Sequence, residues 1–301
     1  MRIGTTFDLS KPLPDIVGQL RGYAELGLSV ACAEQIFGYD VLTLFAAIGN
    51  DVPGIDLGTA VVPVYSRHPQ AMAQQALTVQ AATGNRLVLG IGLSHQIVVE
   101  GLWGYSYGHP ARYMREYLSA LVPMLHGEAV RVEGTMVTAI TGSPLEIPDA
   151  APPPVLVAAL GQRMLRLAGE MADGTVTWMC GLRTVGSHIA PVITAAAEAA
   201  GRPAPRVGVG LPVVVTADRE GTRAMIDEAL AMYPTLPSYR AMLDIEGVDT
   251  ASGVALVGSE EEVAGAVAAF ADAGATELVA SVMGTSDERR RTLALLGSLN
   301  A

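Results

Sequence analysis

The sequence predicts an α/β protein of the (β/α)8 TIM barrel class, with insertions after the fourth and seventh strands. Eight short segments rich in aliphatic and β-branched residues recur along the chain, and segments of helical periodicity lie between them. Several of these strands are apolar on both faces, as in a parallel sheet that is covered by helices. Eight alternating units favour a closed barrel, and an open doubly wound sheet is the alternative that strand order alone leaves open.

The predicted strands are regularly spaced apart from two longer gaps. They span residues 2–7, 28–34, 55–64, 86–92, 154–160, 174–180, 206–216 and 277–283. The helices between them carry recognisable ends: one stops at Gly27, another stops at Gly84, and a third opens with Ser259 followed by three glutamates. These capping signals indicate that each helix stops where the next strand begins.

The two longer gaps predict insertions. Residues 94–153 contain a predicted helix over 110–125 and a predicted hairpin over 129–140, and the second gap contains helical segments over 218–233 and 237–245. Insertions of this kind usually cover the C-terminal mouth of a barrel, where catalysis occurs. Since no linker or low-complexity segment interrupts the chain, we treat residues 1–301 as a single domain.

The composition excludes several classes of protein. Half of the 301 residues are hydrophobic, only 16% are charged, and the net charge of −11 argues against a nucleic-acid-binding surface. Lys11 is the only lysine and precedes the first helix, which excludes an aldolase that forms a Schiff base at a strand end. Cys32 and Cys180 lack CxxC partners, and the histidines lack metal-ligand spacing, so we expect neither a disulfide nor a metal site. Without a signal peptide or an apolar run of membrane-spanning length, we expect a cytoplasmic protein with no membrane partner.

The residues that follow the strands are the candidates for function, because active sites of such barrels lie at the C-terminal ends of the strands. Gly90 and Gly92 close the fourth strand, but His95 stands where a G-x-G-x-x-G dinucleotide fingerprint needs its third glycine. Glu34 and His95 are the strand-end groups that can act as acid or base. A structural role is the alternative for a single strand-end histidine.

A phosphate site is predicted after the fifth strand. Gly161 opens a helix there, and Arg163 and Arg183 follow nearby in sequence. Backbone N–H groups at a helix start bind phosphate with help from the helix dipole, although an ordinary tight connection also explains the glycine. The loops after the second to fourth strands offer apolar and backbone surface, which suits a flat heteroaromatic ring better than a sugar.

Three long segments carry a resemblance to a known family. They are GTAVVPVYSRHPQAMAQQALTVQAATGNRLVLGIGLSH, PVLVAALGQRMLRLAGEMADGTVTWMCG and VGSEEEVAGAVAAFADAGATELVAS. In this order they resemble the bacterial-luciferase-like barrel superfamily, and within it the branch similar to methylenetetrahydromethanopterin reductase, which uses the deazaflavin coenzyme F420. The resemblance implies F420 as the cofactor, with FMN as the alternative, a small-molecule substrate and a homodimer.

The resemblance also implies which residues form the site. A cis peptide in the third strand maps onto Ala60–Val61, behind the central ring of the cofactor. The residues implied in cofactor binding are Gln35, Ala60, Val61, Gly90, Gly92, Leu93 and Ser94 near the ring, Ala158, Ala159, Leu160, Gly161, Gln162 and Arg163 at the phosphate, and Trp178, Met179, Cys180 and Gly181 on the other side.

The sequence departs from one member of the superfamily. A sugar-phosphate dehydrogenase carries a histidine beyond the second strand and a glutamate beyond the fourth, where this chain has Gln35 and His95. That enzyme's substrate-phosphate lysines also have no counterpart in a chain with one lysine. We therefore do not expect sugar-phosphate activity.

Hydride transfer between a deazaflavin and a substrate carbon asks the protein to stack the partners and to move one proton. We expect His95 to be the acid, with Glu34 as the second candidate. The expected reaction is reduction of a C=C or C=N bond, or the reverse, on a small apolar molecule. An FMN-dependent monooxygenase and a non-catalytic cofactor-binding barrel are the alternatives.

Overall fold

The computed structural model describes residues 1–300, and a closed parallel barrel lies at its centre. The strands are β1 (Arg2–Thr6), β2 (Val30–Ala33), β3 (Asp56–Thr59), β4 (Val62–Pro63), β5 (Leu87–Gly92), β6 (Arg131–Glu133), β7 (Thr138–Ile140), β8 (Val155–Ala158), β9 (Gly174–Trp178), β10 (Arg206–Val215), β11 (Leu256–Gly258) and β12 (Glu277–Val282). The barrel order is β1, β2, β3, β5, β8, β9, β10 and β12, so each of the eight predicted strands corresponds to one strand of the barrel.

Strand β12 closes the sheet by pairing with both β1 and β10. Glu277 is in parallel register with Arg2 on one side and with Gly208 on the other. Its almost fully buried carboxylate also forms an ion pair with Arg206, at 2.7 Å, and lies 3.6 Å from the guanidinium of Arg2. These pairs offset the cost of burying a charge at the closure. The predicted barrel is therefore confirmed, and the open doubly wound sheet is excluded.

Helices cover the outside of the barrel. They are α1 (Leu13–Glu25), α2 (Val41–Ile48), α3 (Pro69–Thr83), α4 (Gln96–Gly101), α5 (Pro110–Leu125), α6 (Gln162–Met171), α7 (Leu182–Thr184), α8 (Ala190–Ala199), α9 (Arg219–Ala229), α10 (Pro237–Glu246), α11 (Glu260–Asp272) and α12 (Ser286–Leu299). A π-helical segment, Val185–Ile189, joins α7 to α8. Among residues 1–300 we find no helix with both the length and the apolar character that crossing a bilayer requires.

The predicted helix ends are present in the structure. Ser259 and Glu262 form a capping box at the start of α11, in which each side chain binds the backbone N–H of the other residue. Gly84 ends α3 with φ +65°, a left-handed conformation that glycine adopts without steric cost. Local sequence signals therefore set these boundaries.

Small aliphatic side chains fill the inside of the barrel in two clusters. They are Val30, Cys32 and Val279 in one cluster, and Val88, Leu156 and Val176 in the other. Ala60 packs against both clusters, and it is only partly buried. Ala60 therefore marks the end of the packed interior, and part of the surface of Ala60 is exposed at the mouth of the barrel.

The first insertion contains the predicted helix, as α5, and the predicted hairpin, as the antiparallel pair β6–β7. The Glu116 carboxylate on α5 accepts backbone N–H bonds from Thr135, Met136 and Val137 in the hairpin turn. The hairpin turn thus packs against α5, and the segment before α5 follows β5 at the C-terminal end of the barrel. The second insertion contains α9 and α10, together with the unpredicted strand β11, which pairs with the end of β10.

Candidate active site

The third predicted strand is interrupted at the mouth. It runs as β3 and β4, with a cis peptide bond between Ala60 and Val61 at the break, as the resemblance implied. Both residues are partly buried.

Gly90 and Gly92 make room for this interruption. A Cβ on Gly90 would lie 1.9 Å from the carbonyl oxygen of Thr59, and one on Gly92 would lie 2.6 Å from Cγ2 of Val61. The Thr59 hydroxyl also donates to the Gly90 carbonyl at 2.6 Å and accepts from the Gly90 N–H at 2.8 Å. The two glycines are therefore explained by packing against the neighbouring strand, whatever ligand lies above them.

His95 lies at the mouth after β5, next to a residue in an unusual conformation. Ser94 has φ +61°, which is uncommon outside glycine, and its carbonyl accepts a hydrogen bond from the Tyr107 hydroxyl at 3.4 Å. Leu93 is buried below it, and His95 is half-buried. Burial lowers the pKa of His95 below its ordinary value of 6.5, so the imidazole is largely neutral at pH 7.

An aromatic wall, formed by Trp178, Tyr233 and Tyr239, extends from His95 across the mouth. The His95 ring lies 5.9 Å from the Tyr239 ring, Tyr239 meets Tyr233 edge to face at 4.9 Å, and Tyr233 lies 6.0 Å from Trp178. The indole Nε1 of Trp178 is buried and makes no well-aligned hydrogen bond with any described residue. This wall positions His95 and presents a buried N–H donor.

Glu34 faces the same wall from the loop after β2. The residue is open to the mouth, yet the surrounding protein desolvates its carboxylate and raises the pKa of Glu34 above its ordinary value. Burial, together with the nearby charge of Glu34, raises the pKa of both Tyr233 and Tyr239. Thus the two predicted acid–base candidates, Glu34 and His95, lie on one aromatic wall.

Gln35 has its side chain engaged within the loop. Its amide oxygen accepts from the Val41 N–H at 3.2 Å and from the Arg67 guanidinium at 3.4 Å. Arg67 in turn forms an ion pair with Asp40. These contacts fix the loop that carries Glu34.

Met179, Cys180 and Gly181 lie behind the wall. Met179 and Cys180 are fully buried, and burial raises the pKa of Cys180 to about 12, so its thiol is not a nucleophile at neutral pH. A Cβ on Gly181 would lie 2.2 Å from the carboxyl carbon of Glu246, which accepts a 2.7 Å hydrogen bond from the Thr184 N–H. In this structure these three residues support the wall, and Glu246 ties α10 to the start of α7.

A cleft adjoins the mouth where α5 and α6 begin. It has a volume of about 350 Å³ and is lined by His109, Pro110, Ala111, Arg112, Gly161, Arg163 and Met164. Neither helix has a side-chain cap, and Arg112, Gly161, Gln162 and Arg163 are all exposed. Two helix N-termini and two guanidinium groups give the cleft a positive potential, so it can hold an anion.

The cleft contains part of the predicted phosphate site and adds residues to it. Gly161 and Arg163 line it, whereas Ala158, Ala159 and Leu160 lie before it at the end of β8. Sequence reasoning missed Arg112 and His109, because nothing in the sequence shows that α5 begins beside α6. It also missed Tyr233 and Tyr239, which come from the second insertion.

The fold and site together define a (β/α)8 barrel protein with an aromatic mouth and an adjoining anion cleft. A model of the luciferase-like monooxygenase family matches residues 2–277. The chain belongs to this family.

Proteins similar to this chain carry names that mention two different cofactors. A putative coenzyme F420-dependent oxidoreductase of Mycobacterium tuberculosis is 28% identical over 228 residues, which cover 69% of this chain and 65% of that one. The structure of a coenzyme F420-dependent tetrahydromethanopterin reductase from Methanopyrus kandleri has a TM-score of 0.78 at 19% identity and covers 98% of this chain and 97% of that one. The oxygenating constituent of 3,6-diketocamphane monooxygenase from Pseudomonas putida, in complex with FMN, also has a TM-score of 0.78, at 18% identity, with coverage of 100% and 98%. The chain spans 61% of the length of the first curated relatives that it matches. The similarity to these two solved structures, at 19% and 18% identity, shows that this chain has the same fold.

Proposed function

We propose that this chain is an oxidoreductase that uses coenzyme F420 to move a hydride to or from a small organic substrate, reducing a C=C or C=N bond or catalysing the reverse reaction. The observation that carries the proposal is the pairing of an acid–base mouth, with Glu34 and His95, and an anion cleft directly beside it. The names of the relatives from M. tuberculosis and M. kandleri support the choice of the deazaflavin.

The residues present fit such a cofactor. The cleft between α5 and α6 would hold the phosphate with Arg112, Arg163 and backbone N–H groups. The partly buried surface of Ala60 and Val61 would support the ring, and the buried Nε1 of Trp178 is a donor without a well-aligned partner among residues 1–300. When bound, a deazaflavin would donate or accept the hydride.

The protein's own chemical task is then to move one proton at the substrate. A neutral His95 accepts a proton when the substrate is oxidised, and the imidazolium that forms below its lowered pKa donates one when the substrate is reduced. Glu34, with its raised pKa, retains a proton to higher pH than an ordinary glutamate does. Oxidation should therefore speed up as the pH rises through the pKa of His95, and reduction should speed up as it falls.

The rim of the mouth points to an apolar substrate. Phe37 is 81% exposed, Ile97 is 73% exposed, and Ile36 and Met232 are each 60% exposed. Single exposed apolar residues are ordinary, but these four come from the segments that follow β2, β5 and β10, all at the C-terminal end of the barrel. A flat, uncharged molecule would bury them on binding.

An FMN-dependent monooxygenase is the second candidate. It is favoured by the FMN-bound structural neighbour and by the name of the family. The cleft suits the phosphate of either cofactor, so it does not distinguish between them.

A binding titration with F420 and with FMN, followed by anaerobic reduction assays on a panel of apolar enones and imines, tests the proposal. We expect tighter binding of F420 and turnover without oxygen. The variant Arg163→Gln should weaken binding of the preferred cofactor, while Arg131→Gln, in the remote hairpin, should not. Tighter binding of FMN with oxygen-dependent turnover would establish the second candidate, and tight binding without any turnover would indicate a non-catalytic barrel.

A further inference from the structure

His188 contacts the turn that opens the anion cleft. It lies in the π-helical segment between α7 and α8, and its Nε2 is 2.7 Å from the carbonyl oxygen of Leu160. Because a carbonyl oxygen only accepts hydrogen bonds, Nε2 carries the proton and donates it to Leu160.

This hydrogen bond sets the direction of the next N–H group. The peptide bond between Leu160 and Gly161 is trans, since among residues 1–300 the cis peptide bond lies between Ala60 and Val61. In a trans peptide the C=O and the N–H point to opposite sides of the chain. Turning the Leu160 carbonyl toward His188 therefore turns the Gly161 N–H away from it, and Gly161 lines the cleft.

Gly161 is held on its other side by the helix that follows. Its carbonyl accepts backbone N–H bonds from Met164 and Leu165, each at 3.0 Å, in the first turn of α6. These bonds do not involve the peptide that precedes Gly161, a Cβ on Gly161 would meet no atom within 4 Å, and glycine has wide backbone freedom. The hydrogen bond from His188 to the Leu160 carbonyl is thus the long-range restraint on which way the Gly161 N–H points.

The π-helical segment is what allows His188 to reach this turn. Each residue of a regular α-helix turns the side-chain direction by about 100°, so an extra residue within a helical turn redirects every side chain relative to the residues before it. Such insertions are frequent at functional sites. Here the insertion falls in the helix beside the cleft.

We propose that His188 is a positioning residue of the cleft, which aims the Gly161 N–H at the phosphate of the cofactor. The inference rests on the proposed function, because that phosphate is the anion concerned. His188 itself does not line the cleft and acts only through the peptide that it orients.

The test compares two pairs of cofactors: FMN and riboflavin differ by the phosphate alone, and the deazaflavin pair differs by the phosphate together with the tail attached to it. Dissociation constants are measured for FMN and riboflavin, and for F420 and the deazaflavin nucleoside that lacks its phosphate and tail. Wild type should bind the phosphorylated member of a pair more tightly. His188→Leu should weaken that binding by about tenfold, the lower end of the range for a hydrogen bond to a charged group, and leave the affinity for the phosphate-free member unchanged. His188→Gln, whose amide nitrogen is placed like Nε2, should stay near wild type, as should His126→Leu on the exposed end of α5.

The outcomes distinguish failure of this inference from failure of the proposed function. Equal losses for both members of a pair in His188→Leu would mean a merely structural role and would overturn the inference. An unchanged affinity for the phosphorylated member, with the wild-type preference intact, would overturn it as well while leaving the proposed function standing. A wild-type protein that binds neither F420 nor FMN would overturn both. If His188→Leu does not fold, His188→Asn, whose shorter amide does not reach Leu160, replaces it in the same comparison.

Discussion

Gly90 allows a specific test of how the floor of the site is built. In Gly90→Ala the new Cβ would lie 1.9 Å from the Thr59 carbonyl oxygen, whereas real Cβ atoms essentially never come closer than 3.0 Å. The two strands must therefore separate by roughly 1 Å, since the obstacle is backbone and not a flexible side chain. The shift also strains the two hydrogen bonds that Gly90 exchanges with the Thr59 hydroxyl. We expect the free energy of unfolding to fall by about 3 kcal/mol, the upper end for overpacking a core.

Urea denaturation followed by circular dichroism measures this change. With an m-value of about 3 kcal/mol/M, the midpoint should fall by about 1 M. Gly265→Ala is the matched control, because a Cβ there meets no atom within 4 Å on the exposed side of α11. That variant should instead gain about 0.5 to 1 kcal/mol from helix propensity. A midpoint for Gly90→Ala equal to that of wild type would refute the packing explanation of this glycine.

Three further predictions concern titratable groups. His95→Ala should leave the dissociation constant of the cofactor nearly unchanged and lower kcat by about a hundredfold or more, as expected for the loss of an acid–base group. An unchanged kcat would show that His95 is not the acid–base residue. Because burial lowers the pKa of His95, Tyr239→Leu should raise that pKa, while Tyr239→Phe, which keeps the ring, should not; an NMR titration of the imidazole signals decides this. Burial alone would raise the pKa of Glu116, but hydrogen bonds from Met136, Val137 and their neighbour lower that pKa overall. The ionised carboxylate therefore stabilises the hairpin fully when the pH is above the ordinary pKa of about 4.5, and this stabilisation is lost as the pH falls through the lowered pKa. Glu116→Gln should thus be less stable by about 1 kcal/mol at pH 7, and a difference in the free energy of unfolding that stays the same at a pH below the measured pKa of Glu116 would contradict this assignment.

The fold follows from the sequence where local patterns determine it. Alternation of apolar strands with capped helices predicted all eight barrel strands, because each strand and each cap is encoded within its own segment. The break of the third strand at Ala60–Val61 was implied by family resemblance alone. The strand β11, with three residues, was missed because its pairing with β10 depends on tertiary contact and not on a periodic pattern.

The site was predictable where it follows the strands and not where it comes from the insertions. The structure brings Glu34, His95, Gly161 and Arg163 to the C-terminal end of the barrel because the strands of a barrel end at one mouth, and their roles stay predictions. Tyr239 was not found, because its place depends on how α10 docks. That docking is long-range: Glu246, at the end of α10, accepts hydrogen bonds from the start of α7.

Docking of α10 also bears on how the site handles its proton. Glu34 and His95 reach the mouth from different strands, and both face Tyr239. Desolvation acts on them in opposite directions, because it raises the pKa of an acid and lowers that of a base: Glu34 moves up from 4.5 and His95 moves down from 6.5. The two shifts move the pKa of the acid and the pKa of the base toward each other. Because the ring of Tyr239 lies against His95, the insertion that supplies Tyr239 is expected to favour the neutral imidazole, which is the form that accepts a proton.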